Sequence, residues 1–299
     1  MKTPHSSDKQ HEIPSILSKY YTISQNSVEA ITQNYLYASH PMELNDIYDC
    51  CSQWLSYKNV SNDTIQNLTA YANIPNNREI ETNQKLRNAI FEEFVYKLTF
   101  CKMGIISLTN EHTNMLMWAY YTQNKGFCVR FNTRLLQTIS EHEYFHTPFP
   151  IEYIDTIEPQ EFDALYPYNN VYAMASKKFK VWSHEQEWRI IAESNFEKSI
   201  PNQNIEGIND SRLFYYNPAA IHEIILGFNF FDVHSEVLKR ENGITYLHIT
   251  DELKISLLDY IIQHAITVTL MHGYKDAYSL VPVALTLHKT KERFYECML

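Results

Sequence analysis

The chain has 299 residues, of which 44% are hydrophobic, and its formal net charge is −10. This length and apolar content suffice for a sizeable core in one large domain or two closely joined ones. The acidic balance disfavours general DNA binding, which depends on cationic surface and counterion release. With only 6 glycines and no G-x-G-x-x-G, G-x-x-x-x-G-K or G-x-S-x-G motif, Rossmann-type dinucleotide binding, P-loop NTP hydrolysis and an α/β-hydrolase elbow are also disfavoured.

The cysteines and the N-terminal residues bear on the compartment. The five cysteines are odd in number and include no C-x-x-C pair, which is typical of reduced thiols rather than of a disulfide framework or a zinc ribbon. The first ten residues have no apolar stretch of the secretory type, and no apolar run is long enough to span a bilayer. We therefore expect a cytoplasmic protein without a membrane partner, with a flexible leader (1–14) before a single domain (15–299).

The first predicted elements are two short strands around a helix, followed by a helical region. The strands lie at 19–22 and 35–38, and Ser27 caps the helix between them. The helical region, at about 46–99, comprises helices at 46–57, 63–72 and 79–99. The last of these has an apolar stripe of Leu86, Ile90, Phe94 and Leu98.

From residue 104 the pattern changes to strands with short helices between them. Strands are predicted at 104–109, 126–132, 151–154, 188–193, 221–226, 245–249, 281–287 and 293–297. Helices are predicted at 113–121, 133–141, 233–240 and 252–272, and a polar surface loop at 195–211. The whole pattern predicts an α+β fold, in which a mixed central β-sheet has a helical insertion after its first strands and flanking helices.

The segment that ends in strand 188–193 carries charged residues at period two. Strand geometry places Glu185, Glu187 and Arg189 on one face, and two carboxylates beside a fixed cation are an arrangement that a catalytic site can use. The alternatives are a solvated sheet face, or a cross-strand ion pair with Arg189 or a lysine. The opposite face carries Trp188, Ile190 and Ala192.

The basic residues just before this segment have a simpler interpretation. Lys177, Lys178 and Lys180 form the main basic cluster of the chain. Such a run is more typical of a solvated turn before a strand than of a binding patch.

The sequence His142-Glu143-Tyr144-Phe145-His146 matches the H-E-x-x-H zinc motif. On a helix its two histidines would bind zinc and the glutamate would act as general base. Pro148 and Pro150 follow at once and would end such a helix at or just after His146. A helix end with exposed imidazoles is the preferred interpretation, so no metal is expected, and a zinc hydrolase stays a third alternative.

Two other groups of polar and aromatic residues have both a structural and a functional interpretation. Asn45 and Asp46 precede a predicted helix and fit an N-cap, unless they face the same cleft as the glutamates. Trp118, Tyr120 and Tyr121 lie in an apolar run that is typical of a core, although a planar ligand could stack on them.

Several short blocks, taken together, resemble a bacterial family catalogued as domain of unknown function 2971. They agree in order and spacing from about residue 19 to residue 227. Two departures are Ile47, where the family has proline, and Ala119-Tyr120, where it has Ser-His. The matching blocks are Lys19-Tyr20-Tyr21-Thr22, Leu44-Asn45-Asp46-Ile47-Tyr48, Ser107-Leu108-Thr109, Met117-Trp118-Ala119-Tyr120-Tyr121, Lys125-Gly126-Phe127-Cys128 and the set Lys178, Trp182, Glu185, Glu187, Trp188, Arg189 and Ile190.

More loosely, the layout resembles a diverged ADP-ribosyltransferase, a fold that binds NAD without a glycine-rich loop. The resemblance implies that Glu187 is catalytic, because it would stabilise an oxocarbenium-like ribosyl group, and that Glu185 orients the acceptor. Tyr20 would stand where that superfamily has His or Arg, which is a departure. The implied NAD-binding residues are Tyr20, Asn45, Thr109, Tyr120, Tyr121 and Arg189.

The leading expectation is therefore NAD-dependent ADP-ribosyl transfer or NAD cleavage by a toxin or defence effector. Its partners would be a small-molecule nucleotide and an acceptor that the sequence does not identify, and no oligomeric state is predicted. The competing class is a non-enzymatic module that binds a nucleotide or a peptide, and this class predicts a pocket without convergent carboxylates.

Overall fold

The structure, a computed structural model, describes residues 12–71, 83–95, 103–139, 144–193, 212–274 and 279–299. The predicted surface loop at 195–211, and all but the last three residues of the predicted leader, lie outside these ranges. Within them, no helix is both long and apolar enough to cross a membrane.

Within these ranges, a mixed sheet of nine strands forms the centre of the fold, which confirms the predicted α+β class. The strands are β1 (Ile16–Tyr21), β4 (Met103–Thr109), β5 (Phe127–Asn132), β6 (Tyr144–Phe145), β7 (Phe149–Pro150), β11 (Glu187–Glu193), β13 (Ile221–Leu226), β16 (Val268–Tyr274) and β17 (Ser279–Ala284). Their order is β17-β16-β13-β5-β1-β4-β11-β6, and β7 also pairs with β11. Neighbours run antiparallel except β13 and β16, which are parallel.

Short strands, a second sheet and helices surround this centre. The remaining strands are β2 (Tyr35–Tyr37), β3 (Leu55–Ser56), β8 (Glu152–Ile154), β9 (Gln160–Glu161), β10 (Lys177–Phe179), β12 (Leu213–Tyr215), β14 (Ser235–Glu241), β15 (Ile244–Ile249), β18 (Thr286–Lys291) and β19 (Phe294–Met298). The helices in the described ranges are α1 (Gln25–Thr32), α2 (Asn62–Tyr71), α3 (Gln84–Val95), α4 (Met115–Thr122), α5 (Pro167–Ala175) and α6 (Glu252–Gln263). Strands β14, β15, β19 and β18 form the second sheet.

The two faces of the central sheet are covered differently. On one face, helices α1 and α6 contribute Val28 and Leu257 to a large apolar cluster that contains Trp188 and Ile190. The other face carries two separate clusters. One includes Trp54, Phe91 and Met174, and the other is built around Trp118 of α4. The space between these two clusters is where the polar residues of the sheet are found.

Strands β1 and β4 part from each other in the middle of the sheet. Strand β1 pairs with β5 over six residues, but it pairs with β4 only through Ser18 and Thr109. Where the two strands separate, the Nζ of Lys19 donates a hydrogen bond to the carbonyl oxygen of Ser107 at 3.0 Å. The parting opens a cleft beside strand β11.

The predicted helix at 46–57 is not formed, and the N-cap interpretation of Asn45 and Asp46 is wrong with it. The Asp46 carboxylate instead accepts a hydrogen bond from the Tyr48 amide at 3.0 Å, which favours a turn. The backbone of Cys50 has a φ of 51°, which is incompatible with a right-handed helix. The segment continues as a 3₁₀ turn (Ser52–Trp54) and strand β3.

Three further helix predictions are wrong in whole or in part. Residues 133–139 of the predicted helix at 133–141 form turns and a single bridge. The segment predicted as helix at 233–240 is strand β14, which a hairpin joins to β15. The predicted helix at 252–272 ends at Gln263, and strand β16 follows. The first helix begins one turn earlier than predicted, because Ser24 is its N-cap and Ser27 completes the capping box.

Candidate functional site

Strand β11 confirms the predicted alternation of faces for Glu187 and Arg189. Trp188, Ile190 and Ala192 belong to the large apolar cluster, so Glu187 and Arg189 face the cleft side. Glu185 is not on the strand, because it ends a 3₁₀ turn (Lys180–Glu185) and Gln186 adopts the left-handed conformation with a φ of 43°. The prediction that all three residues share a strand face is therefore wrong for Glu185.

All five N–H groups of Arg189 are bonded inside the protein. The Nε and Nη2 atoms donate to the two carboxylate oxygens of Glu187 at 2.7 and 3.1 Å. The Nη1 and Nη2 atoms donate to the two oxygens of Asp49 at 2.6 and 2.5 Å, and Nη1 also donates to the carbonyl oxygen of Ala175 at 2.9 Å. Arg189 thus holds two carboxylates in bidentate pairs and has no N–H left for a ligand.

Lys178 joins Glu185 to the same cluster. Its Nζ donates to Glu185 at 2.6 Å and to Glu187 at 3.1 Å, and it lies 4.0 Å from Asp49. The Lys178 side chain is only 3% exposed, so the interpretation of this lysine as part of a solvated turn is wrong. The neighbouring Lys180 is 65% exposed and fits that interpretation.

The charges of this cluster are buried and almost balanced. Three carboxylates (Asp49, Glu185 and Glu187) surround two cations (Lys178 and Arg189), and all five side chains are at most 5% exposed. A buried charge is costly unless it is paired. The alternative of a solvated sheet face is therefore wrong. An ion pair with Arg189 and a lysine is formed, but Arg189 lies on the same strand as Glu187 and not across from it.

Glu185 also accepts hydrogen bonds from Tyr121 of helix α4 and Thr109 of strand β4. The Tyr121 hydroxyl donates to its second carboxylate oxygen, and the Asn45 Nδ2 donates to the Tyr121 oxygen at 3.4 Å. The Thr109 hydroxyl donates to the Glu185 carbonyl oxygen at 2.7 Å. Burial and the Glu185 carboxylate raise the pKa of Tyr121, so the phenol stays protonated and able to donate.

These groups line one cleft of about 270 Å³. The cleft brings together most of the residues that the sequence predicted as a site: Tyr20, Asn45, Thr109, Tyr121, Glu185, Glu187 and Arg189. Tyr120 does not line it, since this side chain is 66% exposed and lies edge-on to His184 at 6.2 Å. Tyr20 is fixed by a hydrogen bond to the Glu111 carbonyl oxygen at 3.2 Å and by edge contact with Trp118.

The Glu187 carboxylate lines this cleft and stays ionised. Burial alone would raise its pKa, but the charges of Arg189 and Lys178 and hydrogen bonds from Arg189 and Ser107 lower the pKa to about 2. Burial lowers the pKa of the nearby Lys19 to about 8, against the opposing influence of Glu187. With three carboxylates and two cations, the cluster keeps one formal negative charge, which can stabilise a nearby group on which positive charge develops.

We expect the stability advantage of wild type over Glu187→Gln to shrink as the pH falls. The native pKa of Glu187 lies below its ordinary value of 4.5, so its ionised form stabilises the fold above about pH 4.5, and this contribution is lost as the pH falls toward 2. Its size is on the order of 3 kcal/mol. Urea unfolding of both proteins at several pH values measures it.

The matched control for this measurement is Glu236→Gln, since Glu236 is exposed on strand β14. The difference between wild type and Glu236→Gln should stay below about 0.5 kcal/mol at every pH. A pH-independent difference for Glu187→Gln would show that the carboxylate is not held ionised by its neighbours.

The described part of the H-E-x-x-H segment, residues 144–146, does not form the helix that a zinc motif needs. Tyr144 and Phe145 are extended in strand β6, whereas His142 and Glu143 lie outside the described residues. The Nε2 atom of His146 lies 2.8 Å from a carboxylate oxygen of Glu193. The interpretation as a helix end is wrong for the described part of the motif. In the ranges that the structure describes, no three His, Cys, Asp or Glu side chains are grouped to hold a metal ion.

Sequence reasoning missed Asp49, Lys178 and Lys19. Asp49 was placed inside a helix that does not form, and no local pattern distinguishes it from other acids. Lys178 did have a signal, because it belongs to the same resemblance block as Glu185 and Glu187. Lys19 lies next to Tyr20, but it enters the cleft only because strands β1 and β4 part there.

Comparison with known proteins gave one family match. No curated protein and no solved structure matches the chain, and nothing in the comparisons supports the looser resemblance to ADP-ribosyltransferases. The matched segment begins at the third residue of helix α4 and ends within strand β11, so it includes Lys178, Glu185, Glu187 and Arg189. Residues 117–190 match the model of a family described as Protein of unknown function (DUF2971), which supports the resemblance to that family.

Proposed function

We propose that this protein cleaves the bond between nicotinamide and ribose in NAD and transfers the ADP-ribosyl group to an acceptor or to water. One observation carries the proposal: the ionised Glu187 carboxylate lies in a cleft together with a second carboxylate, Glu185. A binding module without catalysis predicts a pocket that lacks convergent carboxylates.

A fixed negative charge next to the ribose favours cleavage of the bond between nicotinamide and ribose. When the bond between C1′ and the nicotinamide nitrogen breaks, its electron pair neutralises the pyridinium, and the ribosyl group gains oxocarbenium character. A carboxylate that is already ionised and immobile stabilises that charge without reorganising. Arg189 and Lys178 keep Glu187 in this state. We assign them to positioning because Arg189 has no N–H left for a ligand and Lys178 is bonded to Glu185 and Glu187.

Glu185 is the residue that we assign to the acceptor. The acceptor, or water, adds to C1′ and loses a proton, so a nearby carboxylate that orients its O–H or N–H assists the step. Lys178 and Tyr121 fix the two oxygens of Glu185. Thr109, Tyr20 and Tyr121 line the same cleft and are the residues that we assign to the nicotinamide and its ribose.

The order of the strands in the central sheet supports this assignment. The ADP-ribosyltransferase layout that the chain loosely resembles has a first strand, a middle part that bears Ser or Thr and Tyr, and a late Glu-x-Glu strand. In this chain the late strand carries only the second of the two glutamates, Glu187. Here the corresponding strands β1, β4 and β11 are neighbours in the sheet, so residues far apart in sequence meet at one place.

A non-enzymatic module that binds a nucleotide or peptide in this cleft is the competing function. The observation in its favour is that both oxygens of Glu187 are already bonded, to Arg189 and Lys178. Carboxylate oxygens that are all bonded within the protein are also typical of an ion cluster that only stabilises the fold. Turnover of NAD separates the two functions.

The test is release of labelled nicotinamide from NAD, measured with and without cell extract as a source of acceptors. Wild type is expected to release nicotinamide above the buffer background, and Glu187→Gln to be slower by a factor on the order of a hundred. Glu236→Gln, on the exposed strand β14, is expected to match wild type. Equal release by wild type and Glu187→Gln, or no release by wild type under either condition, would refute the proposal.

A further inference from the structure

A row of polar residues crosses the central sheet on the side of the cleft. Glu223, Arg130, Ser18, Thr109 and Glu187 lie on five successive strands, and each is the direct partner of the next. Direct cross-strand partners project from the same face of a sheet. Ser18, Thr109 and Glu187 line the cleft, so Arg130 lies one strand beyond its lining.

The Arg130 side chain is held at one end only. Its Nη1 donates to Glu223 at 2.7 Å, and the Thr269 hydroxyl donates to the other Glu223 oxygen at 2.8 Å. The buried Nε of Arg130 has no hydrogen-bond partner among the described residues. The side chain is 22% exposed, so solvent reaches part of it.

Arg189 shows how the Nε–Nη2 edge of an arginine, the edge that forms no hydrogen bond with described residues in Arg130, can bind a pair of oxygens. In Arg189, the Nε and Nη2 atoms form the fork that grips both oxygens of Glu187. The same fork in Arg130 has no protein partner in the described ranges. A buried N–H without a partner costs free energy, and the planar fork matches a pair of phosphate or carboxylate oxygens.

We propose that the Nε–Nη2 edge of Arg130 binds a phosphate group of the dinucleotide whose ribose lies at Glu187. This inference rests on the proposed function for the ribose end, but the phosphate site itself is defined by Arg130. Strands in a sheet are about 4.8 Å apart, so the three steps from β11 to β5 cover about 14 Å. A dinucleotide that runs along this row from Glu187 toward β5 would bring a phosphate within reach of the long Arg130 side chain.

The first test compares ligands with and without phosphate by calorimetry. The probes are ADP-ribose, inorganic pyrophosphate and nicotinamide riboside. Arg130→Gln is expected to weaken the binding of ADP-ribose and pyrophosphate roughly tenfold to a hundredfold, and to leave the affinity for nicotinamide riboside unchanged. Arg240→Gln, on the exposed strand β14, should bind all three probes as wild type does.

A second measurement does not depend on the folding of a variant. In wild type, phenylglyoxal should modify Arg130, and pyrophosphate should slow that modification, as followed by mass spectrometry.

Arg130→Lys keeps the charge beside Glu223 but lacks the fork, so it should bind ADP-ribose more weakly than wild type.

The outcomes separate this inference from the proposed function. If ADP-ribose binds in a manner that depends on Arg130 but wild type releases no nicotinamide from NAD, the phosphate site stands and the proposed function falls. If nicotinamide is released but Arg130→Gln binds ADP-ribose and pyrophosphate as wild type does, the phosphate site falls. Failure of wild type to bind either phosphate compound also overturns it.

Discussion

Replacing Arg189 with methionine is expected to lower the free energy of unfolding by about 3–5 kcal/mol at pH 7. The substitution leaves Asp49 and Glu187 buried, with Lys178 as the one cation of the described residues still within 4 Å of both. A buried carboxylate that loses its partner keeps the full cost of its desolvation. The loss should be smaller at pH 4 than at pH 7, because the orphaned carboxylates can then take up protons. Urea unfolding at both pH values measures it.

The control for this variant is Arg293→Met. Arg293 pairs with Glu252 at the surface, where the two side chains are 37% and 70% exposed, and such pairs contribute about 1 kcal/mol or less. If Arg189→Met costs no more than Arg293→Met, the buried cluster is not the electrostatic unit that its geometry indicates.

Replacing Lys178 with methionine is expected to reduce the rate of nicotinamide release by a factor on the order of a hundred. Lys178 bridges Glu185 and Glu187, and without it the two carboxylates repel each other and one of them binds a proton more readily. The effect should therefore fall on kcat more than on KM, and the acidic limb of the pH–rate profile should move to higher pH. Steady-state kinetics with labelled NAD over a range of pH measures both.

Two variants serve as controls for Lys178→Met. Lys180→Met changes an exposed lysine two residues away and should leave the kinetics as in wild type. Lys178→Arg keeps the positive charge and should return the acidic limb toward its wild-type position. A normal pH profile in Lys178→Met would mean that this lysine only supports the fold.

The sequence predicted the centre of the sheet better than its periphery. Strands β5, β11 and β13 have apolar side chains on buried faces, and period-two patterns of this kind survive tertiary packing. Strand β14 was mistaken for a helix because most of its residues are exposed and its apolar pattern is weak. The turn Asn242-Gly243, in which both residues have positive φ, is the hairpin signal that could have corrected the prediction.

The site was predictable only where it depends on one local pattern. The alternation of Glu187 and Arg189 against Trp188 and Ile190 requires nothing but strand geometry. The position of Glu185 depends on the left-handed Gln186, a conformation that is uncommon for a residue other than glycine. Lys178 can be buried only because partners such as Glu185 pair with it. No periodic pattern in the sequence predicts where these partners lie.

The contact between Asp49 and Arg189 also bears on the order in which the molecule assembles. These residues are 140 positions apart in sequence, and closing so long a loop is entropically unfavourable until other contacts have formed. Until Arg189 is in place, Asp49 lacks its bidentate partner, so a nascent chain that ends before strand β11 has no complete cleft. Any activity of this site should consequently appear only after the sheet has closed around β11, late in folding.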